Sequence, residues 1–291
     1  MKIVVAGATG KLGRLVIDGL LQKVPTSQMV AAVRHPEKAV DLAARGVDVR
    51  HVDASRPETL KAAFSGTQKA LLISSAEENA LAWHQAVLEA AKKAHIRLLV
   101  YTSMLHAEES HLRAAAVHRA TERLLRASGL THVILRNGLY LENFTEQAVL
   151  ALENGAVIGN ASEGRVAGAS RADYAAAAVA VLTGTGHENK IYELVGDKPF
   201  GMADLADEIS RIAGKQVGYE DLTPEDHGVL LVAAGLPAER AEMLVDVHLA
   251  ISRGEMTARA EDLRRLIGRP TTTLAGALAA ALPQAPGSVP A

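Results

Sequence analysis

Short apolar runs alternate with amphipathic stretches through the first half of the chain. Runs at 2–7, 29–34, 47–53, 69–75, 97–103 and 131–137 are rich in β-branched and other apolar residues, as expected of strands buried on both faces of a parallel sheet. Between them, stretches near 11–23, 36–45, 57–65, 78–94 and 111–128 have the spacing of helices. Leu12, Leu15, Val16, Leu20 and Leu21, for instance, share one helical face. This alternation predicts a parallel sheet covered on both sides. Right-handed crossovers make it a doubly wound, Rossmann-type α/β sheet.

After about residue 138 the rhythm changes. A helix over 141–153 precedes glycine-rich irregular chain from Gly155 to Gly168. Ser170 then reads as the N-cap of a helix with Asp173 in its first turn, continuing as a buried alanine–valine segment to 184. Residues 190–196 predict a further strand of the main sheet, and 199–282 mostly helices, near 201–214, 223–234, 236–252 and 259–268. The expected organisation is a Rossmann domain over 1–153, to which 170–196 return. A smaller, mainly helical C-terminal lobe takes 154–169 and 197–282, and 283–291 form a flexible tail.

With 291 residues, 48% apolar and 22% charged, the composition is that of a soluble globular protein with a sizeable core. A net charge of −2 gives no electrostatic reason to expect nucleic acid or an acidic membrane surface as partner. The lack of cysteine excludes disulfides, thiolate metal sites and cysteine nucleophiles. No apolar run approaches the ~18–20 residues of a membrane span, and the chain enters its first strand without a basic leader, so the expected compartment is the cytoplasm.

The chemistry-bearing stretch is Gly7-Ala8-Thr9-Gly10-Lys11-Leu12-Gly13, between the first strand and the first helix. Free backbone N–H groups and the positive end of a helix dipole converge there on one anion-sized spot. Gly7 permits the tight turn, Gly10 lets a pyrophosphate approach the backbone, and Gly13 lets helix and strand pack closely. The spacing is GxxGxxG, not the usual GxGxxG, but a strand before and a helix after support dinucleotide binding. Ligands of such sheets sit beyond the carboxyl ends of the strands, which carry Arg34, Asp53, Ser74, Ser75, Thr102, Ser103 and the stretch from Arg136 to Asn143.

The second strand ends Val33-Arg34-His35 with no carboxylate, so Arg34 is suited to a 2′-phosphate and NADP is favoured over NAD. An exposed arginine in the turn before Pro36 is the bland alternative. Asp53 suits either an adenine contact or a cap through Ser55. The Tyr-x-x-x-Lys pair of ordinary short-chain dehydrogenases is missing, and His118-Arg-Ala-Thr-Glu122 stands at its place. His118 and Glu122 lie one helical turn apart, and a carboxylate there would keep the imidazole protonated and make His118 a candidate acid. A half-exposed surface pair is the competing reading. His106, His111 and His118 match no zinc spacing, so no metal is expected.

Gly7-Ala-Thr-Gly-Lys-Leu-Gly13, Leu71-Leu-Ile-Ser-Ser75, Tyr101-Thr-Ser-Met-Leu-His106 and Leu135-Arg-Asn-Gly-Leu-Tyr-Leu-Glu-Asn143 together resemble the NmrA-like, atypical short-chain dehydrogenase/reductase family. The resemblance is to its branch of bacterial NAD(P)H:quinone oxidoreductases of type 2, with triphenylmethane reductases as near relatives. It continues through Arg171-Ala-Asp-Tyr174, Tyr192-Glu-Leu-Val-Gly196 and Ile267-Gly-Arg-Pro-Thr-Thr-Thr273. It implies NADPH, with NADH as a weaker second, bound at Gly7, Ala8, Thr9, Gly10, Lys11 and Leu12, with Arg34 on the 2′-phosphate and Ser74 and Ser75 alongside. Gly138, Leu139, Tyr140, Leu141, Glu142 and Asn143 would lie beside the nicotinamide, Tyr140 and Asn143 also shaping a pocket for a small quinone-like acceptor. No flavin motif is evident, so hydride transfer is expected to be direct. Ala76-Glu77-Glu78 departs from the family pattern, because two carboxylates beside bound phosphates are unfavourable. Two further readings stand beside the reductase: an NADP(H)-binding sensor without turnover, and a reductase of triarylmethane dyes.

Overall fold

The computed structural model describes residues 1–75 and 77–282; the expected tail at 283–291 lies outside the described residues. The chain runs β1 (Ile3–Ala6), α1 (Lys11–Leu21), β2 (Met29–Val33), α2 (Val40–Ala44), β3 (Asp48–His51), α3 (Pro57–Phe64), β4 (Lys69–Leu72) and α4 (Ala80–Lys93). It continues as β5 (Leu98–Met104), α5 (Ala115–Ala127), β6 (His132–Asn137), α6 (Leu141–Asn154), β7 (Ala156–Gly159), β8 (Arg165–Val166), α7 (Arg171–Thr183) and β9 (Ile191–Leu194). The last part holds β10 (Phe200–Gly201), α8 (Met202–Ala213), β11 (Gly218–Asp221), α9 (Pro224–Ala233), α10 (Ala238–Ser252), α11 (Glu261–Ile267) and α12 (Leu274–Ala281).

Seven strands pair in the order β3-β2-β1-β4-β5-β6-β9, all parallel, with the order reversing between β1 and β4. This is the doubly wound sheet expected from the apolar runs. Alternate residues of each strand serve opposite faces. Ile3 and Val5 of β1 join the core under α1, α7 and α11, whereas Val4 and Ala6 join the core under α3, α4 and α5. A third core lies among α6, α8, α10 and α12 and contains Phe144, Leu205, Ile209 and Ile251. Burying both sheet faces is what lets strands of four residues hold without polar alternation.

The structure corrects three local expectations. The segment 155–168 is not irregular, because β7 pairs in parallel with β11 and β8 pairs antiparallel with β10. The expected helix 36–45 divides into a 3₁₀ turn over Pro36–Ala39 and the short α2, since Ala39 is buried with φ −121° and ψ 15°.

Helix α5 also starts later than the pattern suggested. Ser110 Oγ and the His111 N–H donate to Glu255, at 2.8 and 3.0 Å, and the Arg113 N–H donates to Asp246 at 3.0 Å. These bonds tie the segment after β5 to the C-terminal helices. Burial would raise the Glu255 carboxyl, but Arg253, Ser110 and His111 hold it down at about 2.

The C-terminal segment is clamped to the sheet in the same way. Thr272 N–H donates to the buried Asp173 (2.9 Å), Arg269 pairs with Asp173 (2.7 Å), and Thr271 N–H donates to Asp197 (3.0 Å). Ser170 caps α7 as expected, its hydroxyl oxygen accepting the Asp173 N–H.

Candidate active site

The loop after β1 turns at Gly7, whose φ of +93° lies in the left-handed region. At Gly13 a Cβ would stand 2.2 Å from Gly7 O, so this position accepts no side chain without separating strand from helix. Gly10 is the N-cap of α1, extended at φ −71° and ψ 164°, with no side chain covering the helix end. The N–H groups of the first turn therefore lack intrahelical acceptors and open on an anion-sized space. Ala8 and Leu12 are buried, so only their main chain is available to a ligand. Lys11 reaches outward to Glu146 at 3.0 Å.

A cavity of about 320 Å³ extends from this helix end along Thr9, Gly10, Arg34, Lys38, Ser75 and Trp83. At its rim both guanidinium nitrogens of Arg34 bond the carboxylate of Glu77. That bond is also the main cause holding the Glu77 carboxyl below its ordinary range. Asp53 does not cap α3, whose N-cap is Arg56 without a side-chain bond; it closes a local turn, accepting from the Ser55 N–H (2.9 Å) and hydroxyl (2.7 Å).

Ser74 also lines a second cavity, of about 790 Å³, beyond the ends of β4, β5 and β6. Ser103, His118, Asn137, Gly138, Tyr140 and Asn143 bound it on the sheet side, and Met243, Val247 and Met256 close it from the helical side. At Gly138 a Cβ would lie 3.1 Å from Tyr174 Oη and 3.3 Å from Leu194 O. Tyr140 packs edge-on against Tyr174, ring centroids 5.4 Å apart, with the Arg171 guanidinium 4.9 Å from its ring centroid. The Asn143 side-chain oxygen accepts from Arg171 at 3.2 Å. Two of the expected cofactor residues turn their side chains elsewhere. Leu141 is buried in the third core, and Glu142 accepts the Arg171 N–H at 2.9 Å, covering the start of α7.

The chain matches the NAD(P)H-binding family over residues 7–185. It belongs to that family. It is 46% identical to quinone oxidoreductase 2 of Escherichia coli K12, over 94% of this chain and 96% of that protein. The crystal structure of an NADPH-dependent quinone oxidoreductase from Escherichia coli complexed with NADPH superposes with a TM-score of 0.93, at 45% identity, covering 95% of this chain and 98% of that one. The Citrobacter sp. triphenylmethane reductase complexed with NADP(H) also gives 0.93, at 41% identity, with 97% and 100% covered.

In this NAD(P)H-binding protein the region of the missing Tyr-x-x-x-Lys pair is filled by interactions that the sequence did not reveal. Glu122 is buried and bound by Arg136, through Nε at 2.9 Å and Nη2 at 2.6 Å, and Ser103 donates its hydroxyl to it at 2.6 Å. The expectation that Glu122 keeps His118 protonated is therefore corrected. Burial pulls the His118 pKa down to about 4, and the attraction of Glu122 does not offset it. The ring's hydrogen bond is instead with Tyr101 Oη, at 2.9 Å.

His84 is likewise neutral, its pKa lowered to about 4 chiefly by burial. Its Nε2 accepts the Ser75 N–H at 3.1 Å, which places the ring proton on Nδ1, 2.8 Å from Thr121 Oγ1. The strand end carrying Ser75 is thus held by a ring from α4.

Within the stretch from Arg136 to Asn143, the sequence assigned Asn137 no role of its own. This last residue of β6 is only 8% exposed; it borders the larger cavity, and its buried Oδ1 has no hydrogen-bond partner. Its position just before Gly138 was the available signal. Among the described residues no cluster of three or more metal-binding side chains occurs, and no helix is long and apolar enough to cross a membrane.

Proposed function

We propose that this chain is a reductase that uses NADPH, with NADH as a weaker second, to reduce a quinone or a similar conjugated acceptor. The observation that carries this reading is the pair of cavities meeting at Ser74. One has an uncapped helix end and an arginine at its rim. The other is largely apolar with a few placed polar groups, as suits a flat conjugated molecule.

The residues fit the cofactor on structural grounds. The N–H groups after Gly10 take the pyrophosphate, and Arg34 takes the 2′-phosphate. Asn137, whose buried Oδ1 lacks a partner beside the cavity, would be a hydrogen-bonding group near the nicotinamide end. NADPH, when bound, supplies the hydride. The chain contributes placement and dryness: Tyr140 and Gly138 bound the reacting space, and Met243, Val247 and Met256 exclude water from it. Neutral His118 is a hydrogen-bond donor to the acceptor oxygen, not a strong acid. Charge on a reduced quinone oxygen is spread over a ring, so a modest donor is enough.

The test is reduced-nicotinamide consumption with p-benzoquinone, using wild type and Arg34→Ala. Turnover with NADPH is expected. Loss of a bidentate charged contact raises the NADPH KM about tenfold or more, with NADH little affected. Tight NADPH binding without turnover on any quinone would overturn the reductase and leave the nucleotide sensor. Substituting triarylmethane dyes for the quinone in the same assay establishes the acceptor class.

A further inference from the structure

The carboxylate of Glu77 sits where the function proposed for Arg34 needs a phosphate. Both Arg34 guanidinium nitrogens are taken by the two Glu77 oxygens, fork on fork, the geometry by which arginine binds phosphate. The neighbouring anions are otherwise engaged. Glu37 pairs with His35 at 3.1 Å, and Asp41 pairs with Arg14 at 2.5 Å. Arg34 and Ser75 line the smaller cavity, and Glu77, 43 residues along the chain from Arg34, meets it through the side-chain bonds to Arg34.

We propose that Glu77 is a specificity-determining residue: it occupies the Arg34 fork as a stand-in for the 2′-phosphate and so narrows the preference for NADPH over NADH. This rests on the reading of Arg34 as the phosphate ligand. For NADPH to bind, the Glu77–Arg34 pair opens and a carboxylate is left beside a phosphate. For NADH the pair stays closed, so Arg34 is not left unpaired at the rim. Glu77 therefore levels the two cofactors from both sides.

Both partners are about half-exposed, so the pair itself is a modest one. Adding the repulsion of a dianionic phosphate at screened surface distance, removal of the Glu77 charge raises the NADPH/NADH ratio of kcat/KM about three- to tenfold.

The experiment measures that ratio for wild type, Glu77→Gln, Arg34→Ala and the double variant, with Glu78→Gln as a charge-matched control. Binding of 2′,5′-ADP and 5′-AMP by the same proteins gives a readout independent of turnover. The expected result is a raised ratio and tighter 2′,5′-ADP binding in Glu77→Gln, both cut to the small repulsive part when Arg34 is absent. An unchanged ratio in Glu77→Gln, with Arg34→Ala still losing NADPH, overturns the role of Glu77 and leaves the phosphate role of Arg34 intact. An equal rise in Glu78→Gln, or a rise undiminished without Arg34, also overturns it, because the general field would then be the cause. If Arg34→Ala leaves the ratio unchanged, the phosphate reading itself fails.

Discussion

Gly10, the N-cap of α1, and Gly13, in its first turn, stand three residues apart, and the structure gives them separable roles that a pair of alanine substitutions would distinguish. In an ordinary helix interior Gly→Ala stabilises by about 1 kcal/mol. At Gly13 the added Cβ would lie 2.2 Å from Gly7 O and 2.8 Å from Ala8 Cα, both backbone atoms of the tight loop. Nothing there rotates away, so β1 and α1 must separate. Overpacking of this severity costs about 3 kcal/mol, and after the helix-propensity gain about 2 kcal/mol of destabilisation remains. For a chain of 291 residues that is a fall in melting temperature of about 3 °C.

At Gly10 the nearest atom to an added Cβ is Gly7 O at 3.4 Å, an ordinary contact, and the backbone is one that alanine adopts readily. Gly10→Ala should leave stability within about 0.5 kcal/mol, the loss of a good N-cap being offset by a less flexible unfolded chain. Its methyl group stands in the path of the pyrophosphate. One lost charged hydrogen bond weakens NADPH binding about tenfold or more. Urea unfolding with and without NADPH measures both quantities. Equal loss of stability in the two variants, or undiminished NADPH affinity in Gly10→Ala, would refute this division of roles.

Three further outcomes follow from the charged and titrating groups. Because His118 is neutral down to about pH 4, kcat/KM should show no break of its own across about pH 5–8. A break near the usual histidine pKa that disappears in His118→Gln would show a protonated imidazole at work instead. His84, His118 and His248 all have folded pKa values lowered to about 4, so below the unfolded value near 6.5 the unfolded chain binds more protons. Stability is then full above that value and falls as the pH drops from about 6.5 toward 4, by about 1–2 kcal/mol per ring at pH 5, and a flat urea midpoint across that window would contradict it. Asp173→Ala leaves the Thr272 N–H, the Ser170 hydroxyl and Arg269 without their shared acceptor. It should cost about 2–4 kcal/mol, and a loss under about 1 kcal/mol would mean that the C-terminal clamp is not structural.

The sheet was legible because burial on both faces leaves apolar runs, and the nucleotide loop was legible because its glycines stand at fixed spacing between a strand and a helix, with Gly7 at positive φ and Gly13 against backbone atoms that leave no room for a side chain. The pairs β7–β11 and β8–β10 were not. Strands of two to four residues have no period to detect, and their partners lie about 60 and 35 residues away in sequence. The state of His118 was hidden for a related reason. Helical spacing put Glu122 within its reach, but Arg136 on a neighbouring strand claimed that carboxylate, and sequence spacing carries no information about such a competitor. Asn137 shows the converse: its identity was plain, but only the structure shows a buried amide oxygen with nothing to bond.

The groups around the cavity also explain how a reductase of this kind dispenses with a tyrosine–lysine acid. The polar residues of β5 and α5 are present but mutually satisfied: Ser103 serves Glu122, Glu122 serves Arg136, and Tyr101 serves His118. Burial raises the Tyr101 phenol well above its ordinary range, so it stays protonated and does not release a proton near neutral pH. Such a site is poorly suited to protonating an alkoxide strongly. It is well suited to holding a fixed wall of mutually paired groups beside an acceptor whose own ring disperses the incoming charge. Restricting the chemistry to conjugated acceptors is then a consequence of where this chain places its buried ion pairs, and substrate choice within that class falls to the side chains that close the cavity from α10.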